Sequence, residues 1–182
     1  ARSGPFIDRA RTVGASLEIL DSPSRNYWRD LRELGRVIPR YAVTVVHSHG
    51  YRADVIGGPA AWRAQCAHVA TAHGFTGGSA RNRLNQVIGV HALRHADRVI
   101  AVSAPLAELL QIRGVARDRI SVIPNAWTLP GQPLARAAAR MKLALGGDGP
   151  CVGWVGRLSP EKGPDLAIQA LAGLPGLRLA IV

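Results

Sequence analysis

Two cations, Arg157 and Lys162, lie within the stretch Gly153-Trp154-Val155-Gly156-Arg157-Leu158-Ser159-Pro160-Glu161-Lys162-Gly163-Pro164-Asp165. A short apolar run, Cys151 to Val155, precedes them and reads as a buried strand. After them, Pro164 occupies what would be a helix's first position, followed by Asp165 and the apolar Leu166-Ala167-Ile168. The two cations therefore sit in a glycine-flanked loop between a strand end and a helix start. A helix start offers unpaired N–H groups and the positive end of a dipole, which suits an anion. Arginine adds a planar fork for phosphate oxygens, and lysine adds a compact point charge. With Gly156 beside them, the natural guest is a pyrophosphate. A solvated loop whose cations touch nothing is the plain alternative. Two observations weigh against it. The chain has only two lysines, and it has neither a Gly-x-x-x-x-Gly-Lys-Ser/Thr nor a Gly-x-Gly-x-x-Gly pattern elsewhere.

Histidines form the second group of candidates. His47 and His49 follow the apolar run Tyr41 to Val46, and His73-Gly74 closes the short run that starts at His68. In open parallel sheets, ligands bind beyond the carboxyl ends of the strands. A neutral imidazole there can orient a hydroxyl or take a proton. It can equally be satisfied by backbone at a strand end. His91 and His95 stand four apart on one helix, a spacing that metals use. They lie on an apolar stripe with no carboxylate or cysteine nearby, so no metal site is expected. Ser103 lacks the Gly-x-Ser-x-Gly surroundings of a nucleophile, and capping of a helix explains it better. Phe75 to Arg83 is either an ordinary surface loop or a flap over an acceptor. Trp62, Trp127 and Trp154 read as packing residues.

The elements that must position these groups alternate. Leu17-Leu20 reads as a short strand. Ser24 to Arg40 reads as a helix, with Trp28, Leu31, Leu34 and Ile38 as its apolar stripe. Arg25, Arg29, Arg32, Arg36 and Arg40 form a second stripe. That is either a solvated face or a surface for an anionic bilayer. Tyr41 to Val46 reads as a strand covered on both sides. Helix Ala53–Ala64 follows, then the strand from His68, then helix Asn82–Ala96 with Leu84, Val87, Ile88, His91 and His95 as its inner stripe. Strand Arg98–Val102 leads into a helix capped by Ser103, with Pro105 in its first turn and Gly114 as its stop. Strand Arg119–Ile123 ends in Pro124-Asn125. Such alternation implies an α/β fold with parallel, doubly wound sheets. Residues 126–148 read as a linker with a helical patch, Leu134 to Leu145. A second domain begins at 149, so the first comprises 1–125 and the second 149–182.

The composition, 47% hydrophobic and 19% charged over 182 residues, is that of a globular chain. The net charge of +11 comes almost wholly from arginine. The cations are scattered, with no dense run and no recognisable nucleic-acid motif, so nucleic acid is not the expected partner. Cys66 and Cys151 lack metal-type spacing and read as free thiols of a reducing compartment. No stretch of eighteen apolar residues exists, so no spanning helix is expected. The first residues lack both Met and a signal-peptide profile, and the last stop inside an apparent strand. Both ends are therefore read as cut.

The stretch Gly156 to Gly163 resembles the donor-diphosphate loop of the large family of nucleotide-sugar-dependent retaining glycosyltransferases with the GT-B fold. Val45-Val46-His47-Ser48-His49-Gly50, Ala72-His73-Gly74, Ala96-Asp97-Arg98-Val99-Ile100-Ala101-Val102-Ser103 and Ile123-Pro124-Asn125-Ala126 match further landmarks in order. Three departures stand out, one being that the glycine-rich loop expected at the N-terminus is absent. Ala126-Trp127-Thr128 replaces the usual Gly-Val-Asp, and the downstream pair of glutamates is absent. The resemblance implies two Rossmann-like domains, with Arg157, Lys162 and Gly156 holding the donor's diphosphate and His73 facing the cleft as the catalytic candidate. It leaves His49, Gly74, Asn125 and Ser103 as candidates for the cleft or acceptor. It implies a nucleotide sugar as co-substrate with no other cofactor, no metal, and a glycan or lipid-linked acceptor. The expected place is the cytoplasm, with contact at the inner face of an anionic membrane. A nucleotide-sugar epimerase on the same fold and a non-catalytic basic binding module are the alternatives.

Overall fold

The computed structural model describes residues 4–20, 26–75, 80–127 and 131–182. The chain forms two compact units, the first ending at Asn125 and the second starting at Ala126. The first unit contains helices α1 (Pro5–Thr12), α2 (Tyr27–Arg40), α3 (Tyr51–Arg63), α4 (Ala80–Arg94) and α5 (Ala104–Ile112). Its strands are β1 (Val45–His49), β2 (Ala67–Ala72), β3 (Arg98–Ala101) and β4 (Ile120–Val122). They form one sheet in the order β1-β2-β3-β4, and every pair is parallel. The second unit contains helices α6 (Arg136–Lys142) and α7 (Pro164–Ala172), with β5 (Cys151–Trp154) parallel to β6 (Arg178–Ile181). This is the parallel α/β architecture expected from the alternating elements.

The core of the first unit sits between the sheet and its helices. Val99 and Leu110 are fully buried, joined by Ala70, Ala101, Leu93 and Leu106. Small alanines on β2 and β3 let α5 approach the sheet closely, and each large aliphatic buried there contributes about 1.5–3 kcal/mol. α5 starts where its sequence says it should: Ser103 Oγ accepts from Leu106 N at 3.4 Å, and Gly114 takes φ +88° at the stop. Between α3 and β2 the contact is tighter. A Cβ on Gly58 would lie 3.3 Å from His68 Nδ1, so a side chain there would press on the His68 ring.

Several expectations are corrected. Leu17–Leu20 is irregular, not a strand, while Pro5–Thr12 is a helix. α2 starts at Tyr27, capped by Asn26, whose side chain accepts from Arg29 N; Ser24 and Arg25 lie outside the described residues. Trp28 is 80% exposed, so the inner stripe of α2 is Leu31, Leu34 and Ile38 alone. Tyr41 and Ala42 form the turn that ends α2, with Ala42 at φ +48°. β1 therefore runs from Val45 through His49, and Val45 stays half-exposed at the sheet edge rather than covered on both sides. The loop 76–79 lies outside the described residues, and Ala80–Arg83 already belongs to α4. α4 buries Val90 and Leu93, with Ala96 just beyond its end, whereas Leu84, Val87 and Ile88 are exposed. Trp62 and Trp127 are exposed as well, not packed.

Candidate functional site

All four strands of the first unit run the same way, so their carboxyl ends share one edge of the sheet. His49 ends β1, His73-Gly74 follows β2, Ser103 follows β3, and Asn125 lies just past β4. The topology thus brings the candidate cleft residues of this unit to one edge. Side chains alternate along a strand. His47, His49, Thr71 and His73 therefore share one face of β1 and β2. His47 Nε2 lies 2.8 Å from Thr71 Oγ1, and His49 Nδ1 lies 3.3 Å from His73 Nε2. The rings of His47 and His49 are 4.5 Å apart, and those of His49 and His73 5.6 Å. Burial, and then the neighbouring His49, holds the His47 imidazole below its ordinary pKa of 6.5. A neutral imidazole in this row has a lone pair available for a hydroxyl. Gly74 takes φ +115° and has open space around it.

The opposite face of the same strands carries a buried polar network that the sequence reading did not name. Ser48 Oγ donates to Asp54 Oδ1 at 2.6 Å and contacts His68 Nε2 at 2.9 Å. Because the one hydroxyl proton goes to Asp54, His68 Nε2 must be the donor to Ser48. His68 Nδ1 is then the lone-pair nitrogen, and it is buried with no partner. Burial lowers the His68 pKa, which keeps the ring neutral, and burial raises that of Asp54 against the pull of the Ser48 bond. The His68 backbone N–H donates to Asp97 Oδ2 at 2.7 Å. A second buried pair joins Asp30 of α2 to Arg52 of α3, with Tyr27 and Tyr51 in hydroxyl contact beside it at 3.1 Å. The available signal was a pair of acids, Asp30 and Asp54, each on the otherwise apolar face of a helix.

In the second unit, β5 ends at Trp154 and the next residues fold back on themselves. Ser159 N donates to Arg157 O at 2.7 Å and Lys162 N to Ser159 O at 2.9 Å, closing a short 3₁₀ turn over Pro160–Lys162. Trp154 Nε1 donates to Lys162 O at 3.3 Å, so this tryptophan holds the loop. A Cβ on Gly156 would stand 3.2 Å from the Trp154 ring and 3.8 Å from Lys162 Cγ, which explains glycine there. Gly163, at φ +60° and ψ +43°, ends the turn and starts α7. Its lack of a side chain leaves the helix without a side-chain cap, and Pro164 has no N–H. The N–H groups of Asp165 and Leu166 are then the first free donors of α7. The Arg157 guanidinium pairs with Glu161 at 3.1 Å and is largely exposed. Arg157, Lys162, Gly156 and the start of α7 are therefore assembled by one short loop.

Ser103 is occupied as a helix cap. The rings of His91 and His95 lie 4.9 Å apart, and among the described residues no group of three or more His, Cys, Asp or Glu side chains is placed to hold a metal ion. No helix of the described residues is long and apolar enough to cross a membrane.

Residues 2–127 match the family model described as Glycosyltransferase Family 4. The chain is 34% identical over 169 residues to a D-inositol 3-phosphate glycosyltransferase of Nocardia farcinica, covering 84% of this chain and 37% of that protein. It thus spans little more than a third of that relative's length. Among solved structures, Anabaena Alr3699/HepE in complex with UDP-glucose matches with a TM-score of 0.81 at 20% identity, over 99% of this chain and 50% of that one. Sucrose-phosphate synthase from Thermosynechococcus elongatus matches with a TM-score of 0.68 at 22% identity, over 90% of this chain and 43% of that one.

Proposed function

The chain belongs to Glycosyltransferase Family 4 and has the GT-B fold, and from that premise we propose that the complete protein transfers a hexose-type sugar from a nucleotide diphosphate to an acceptor hydroxyl. The observation that supports this reading is the short loop joining β5 to α7, which carries Arg157 and Lys162 and leads directly into the free N–H groups at the start of α7. Breaking the bond between the anomeric carbon and the diphosphate oxygen moves negative charge onto the leaving phosphate. Preoriented donors at that phosphate lower the barrier, each by about 3 kcal/mol. In this reading the cations do the work assigned elsewhere to a divalent metal, and transfer is metal-independent with retention at the anomeric carbon. His73, in contact with His49, orients the acceptor hydroxyl or takes its proton. Gly74 and Asn125 line the acceptor side, with Ser103 shaping the same edge. The acceptor is a glycan or a lipid-linked cell-envelope precursor, reached from the cytoplasm at the inner face of an anionic membrane. The name of the Nocardia relative adds a phosphorylated cyclitol as a second acceptor class to try.

The test is an assay of the complete protein with UDP-glucose as first donor, the sugar nucleotide held by the Anabaena structure. Release of UDP that depends on acceptor, with labelled sugar recovered on it and unaffected by EDTA, is the expected result. Appearance of an epimerised nucleotide sugar without transfer would overturn the reading. A strict requirement for magnesium or manganese would overturn its metal-free part.

A further inference from the structure

α4 turns an apolar side to solvent. Leu84 is 60% exposed and Val87 67%, and Trp62 of α3 stands nearby at 81%. Between α3 and α4 runs a cleft of about 540 Å³ lined by Val55, Pro59, Trp62, Ile88, Ala92 and His95 among others. On the other flank of α4 a second cleft, about 400 Å³, gathers Arg83, Arg94 and Arg113 beside Val87 and His91. No carboxylate lines it. Arg94 Nε donates to the carbonyl of Arg113 at 2.8 Å, and the Arg113 guanidinium lies 4.1 Å over the Phe75 ring. Both guanidiniums are thereby held in place. Among the described residues no ion pair engages any of the three arginines. α4 itself carries no acidic residue.

We infer that this face of α4 docks onto an anionic phospholipid bilayer, the aliphatic ridge entering the interface and the arginine cleft receiving phosphate headgroups. An exposed aliphatic ridge gains by leaving water for hydrocarbon. Each arginine near an anionic leaflet adds to the attraction. A second copy of the chain fits badly, because two arginine clefts without a carboxylate would repel one another. Nucleic acid would use the arginines and Trp62 but would leave the aliphatic Leu84 and Val87 in water. α2, whose arginine stripe suggested a membrane surface from sequence, is less suited: Arg36 is paired with Glu33 at 2.9 Å and Arg40 with Glu18 at 3.1 Å. The inference rests on the proposed placement at a membrane face and is independent of the transfer chemistry.

Co-sedimentation of the complete protein with vesicles tests it, using phosphatidylcholine alone and phosphatidylcholine mixed with an equal part of phosphatidylglycerol at physiological salt. Binding to the mixed vesicles only is expected. Leu84→Glu combined with Val87→Glu should return binding to the level on neutral vesicles, and Arg83→Gln should weaken it about five-fold. Melting curves and turnover of a water-soluble acceptor confirm folding, and Leu84→Ser with Val87→Ser replaces the glutamate pair if that does not fold. Equal binding to both vesicles, or unchanged binding of a folded ridge variant, would overturn the inference. So would loss of vesicle binding in millimolar inorganic phosphate, which would mark a soluble-anion site, or a stronger affinity for RNA in a gel shift. A protein that transfers sugar yet ignores vesicles would sink this inference alone.

Discussion

Replacing Ser48 by alanine should damage the first unit far more than the loss of one small hydroxyl suggests. Ser48, Asp54 and His68 are 4%, 4% and 3% exposed, so water cannot replace what the hydroxyl provides. The 2.6 Å contact to Asp54 is in the range of a charge-assisted bond. Losing it costs about 1.5–3 kcal/mol, and leaving the His68 Nε2–H unpaired adds about 1–3 kcal/mol. Together these come to about 2.5–6 kcal/mol, a large share of the roughly 5–15 kcal/mol that holds a domain together. Urea unfolding of the transition assigned to the first unit, at neutral pH, measures it. The cost should shrink on acidification. The Ser48 bond lowers the Asp54 pKa against a burial effect that raises it. Without the bond that pKa rises further, and a carboxyl with a raised folded-state pKa gains stability as pH falls through that value. Adding Asp54→Asn to the alanine variant should recover part of the loss, because a neutral amide is cheaper to bury than a bare carboxylate. A cost below 1 kcal/mol at neutral pH, or one that does not change with pH, would refute the reasoning.

Further outcomes follow from the two sites. Arg157→Ala and Lys162→Ala should each lower kcat/KM for sugar transfer about a hundred-fold, with folding intact; Arg157 is exposed, so a melting curve separates the two effects. Glu161→Gln should change donor affinity by less than about five-fold, because an exposed ion pair is worth at most about 1 kcal/mol; initial rates at varied donor concentration check this. His73→Ala should reduce turnover with little change in donor KM, and full turnover would remove His73 from the chemistry. His68 is held below its ordinary pKa of 6.5 chiefly by burial. The unfolded chain therefore takes up that proton first. Stability should be full above about pH 6.5 and fall as pH drops toward the lower folded-state value, which urea midpoints across that window will report.

What could be read from sequence divides along a physical line. The strand–loop–helix order from β5 to α7 was legible because its signals are local: Gly156, Gly163 and Pro164 stand within a few residues of one another, and the turn over Pro160–Lys162 closes on Ser159. The parallel sheet was legible because apolar strands and helices alternate. The Ser48–Asp54–His68 network was not, since three residues from β1, α3 and β2 meet only after the sheet has formed. Nor was the true length of β1, because Tyr41 and Ala42, although apolar, were needed to turn the chain out of α2.

α4 shows why spacing alone can choose the wrong side. The helix carries two sets of apolar residues at helical steps. Leu84, Val87 and Ile88 are the bulkier set, and bulk alone would send them inward. The set that packs is Val90 and Leu93, with Ala96 just beyond, joined by Gly89, whose missing side chain leaves Tyr51 room: a Cβ there would stand 3.1 Å from Tyr51 Cβ. A helix that must lie close to its neighbour selects the face with small residues, and the larger aliphatics are left in water at a cost of about 25 cal/mol per Å². The bilayer proposed above would remove that cost. The acid-free arginine cleft beside that face is what gives the proposed partner its negative sign.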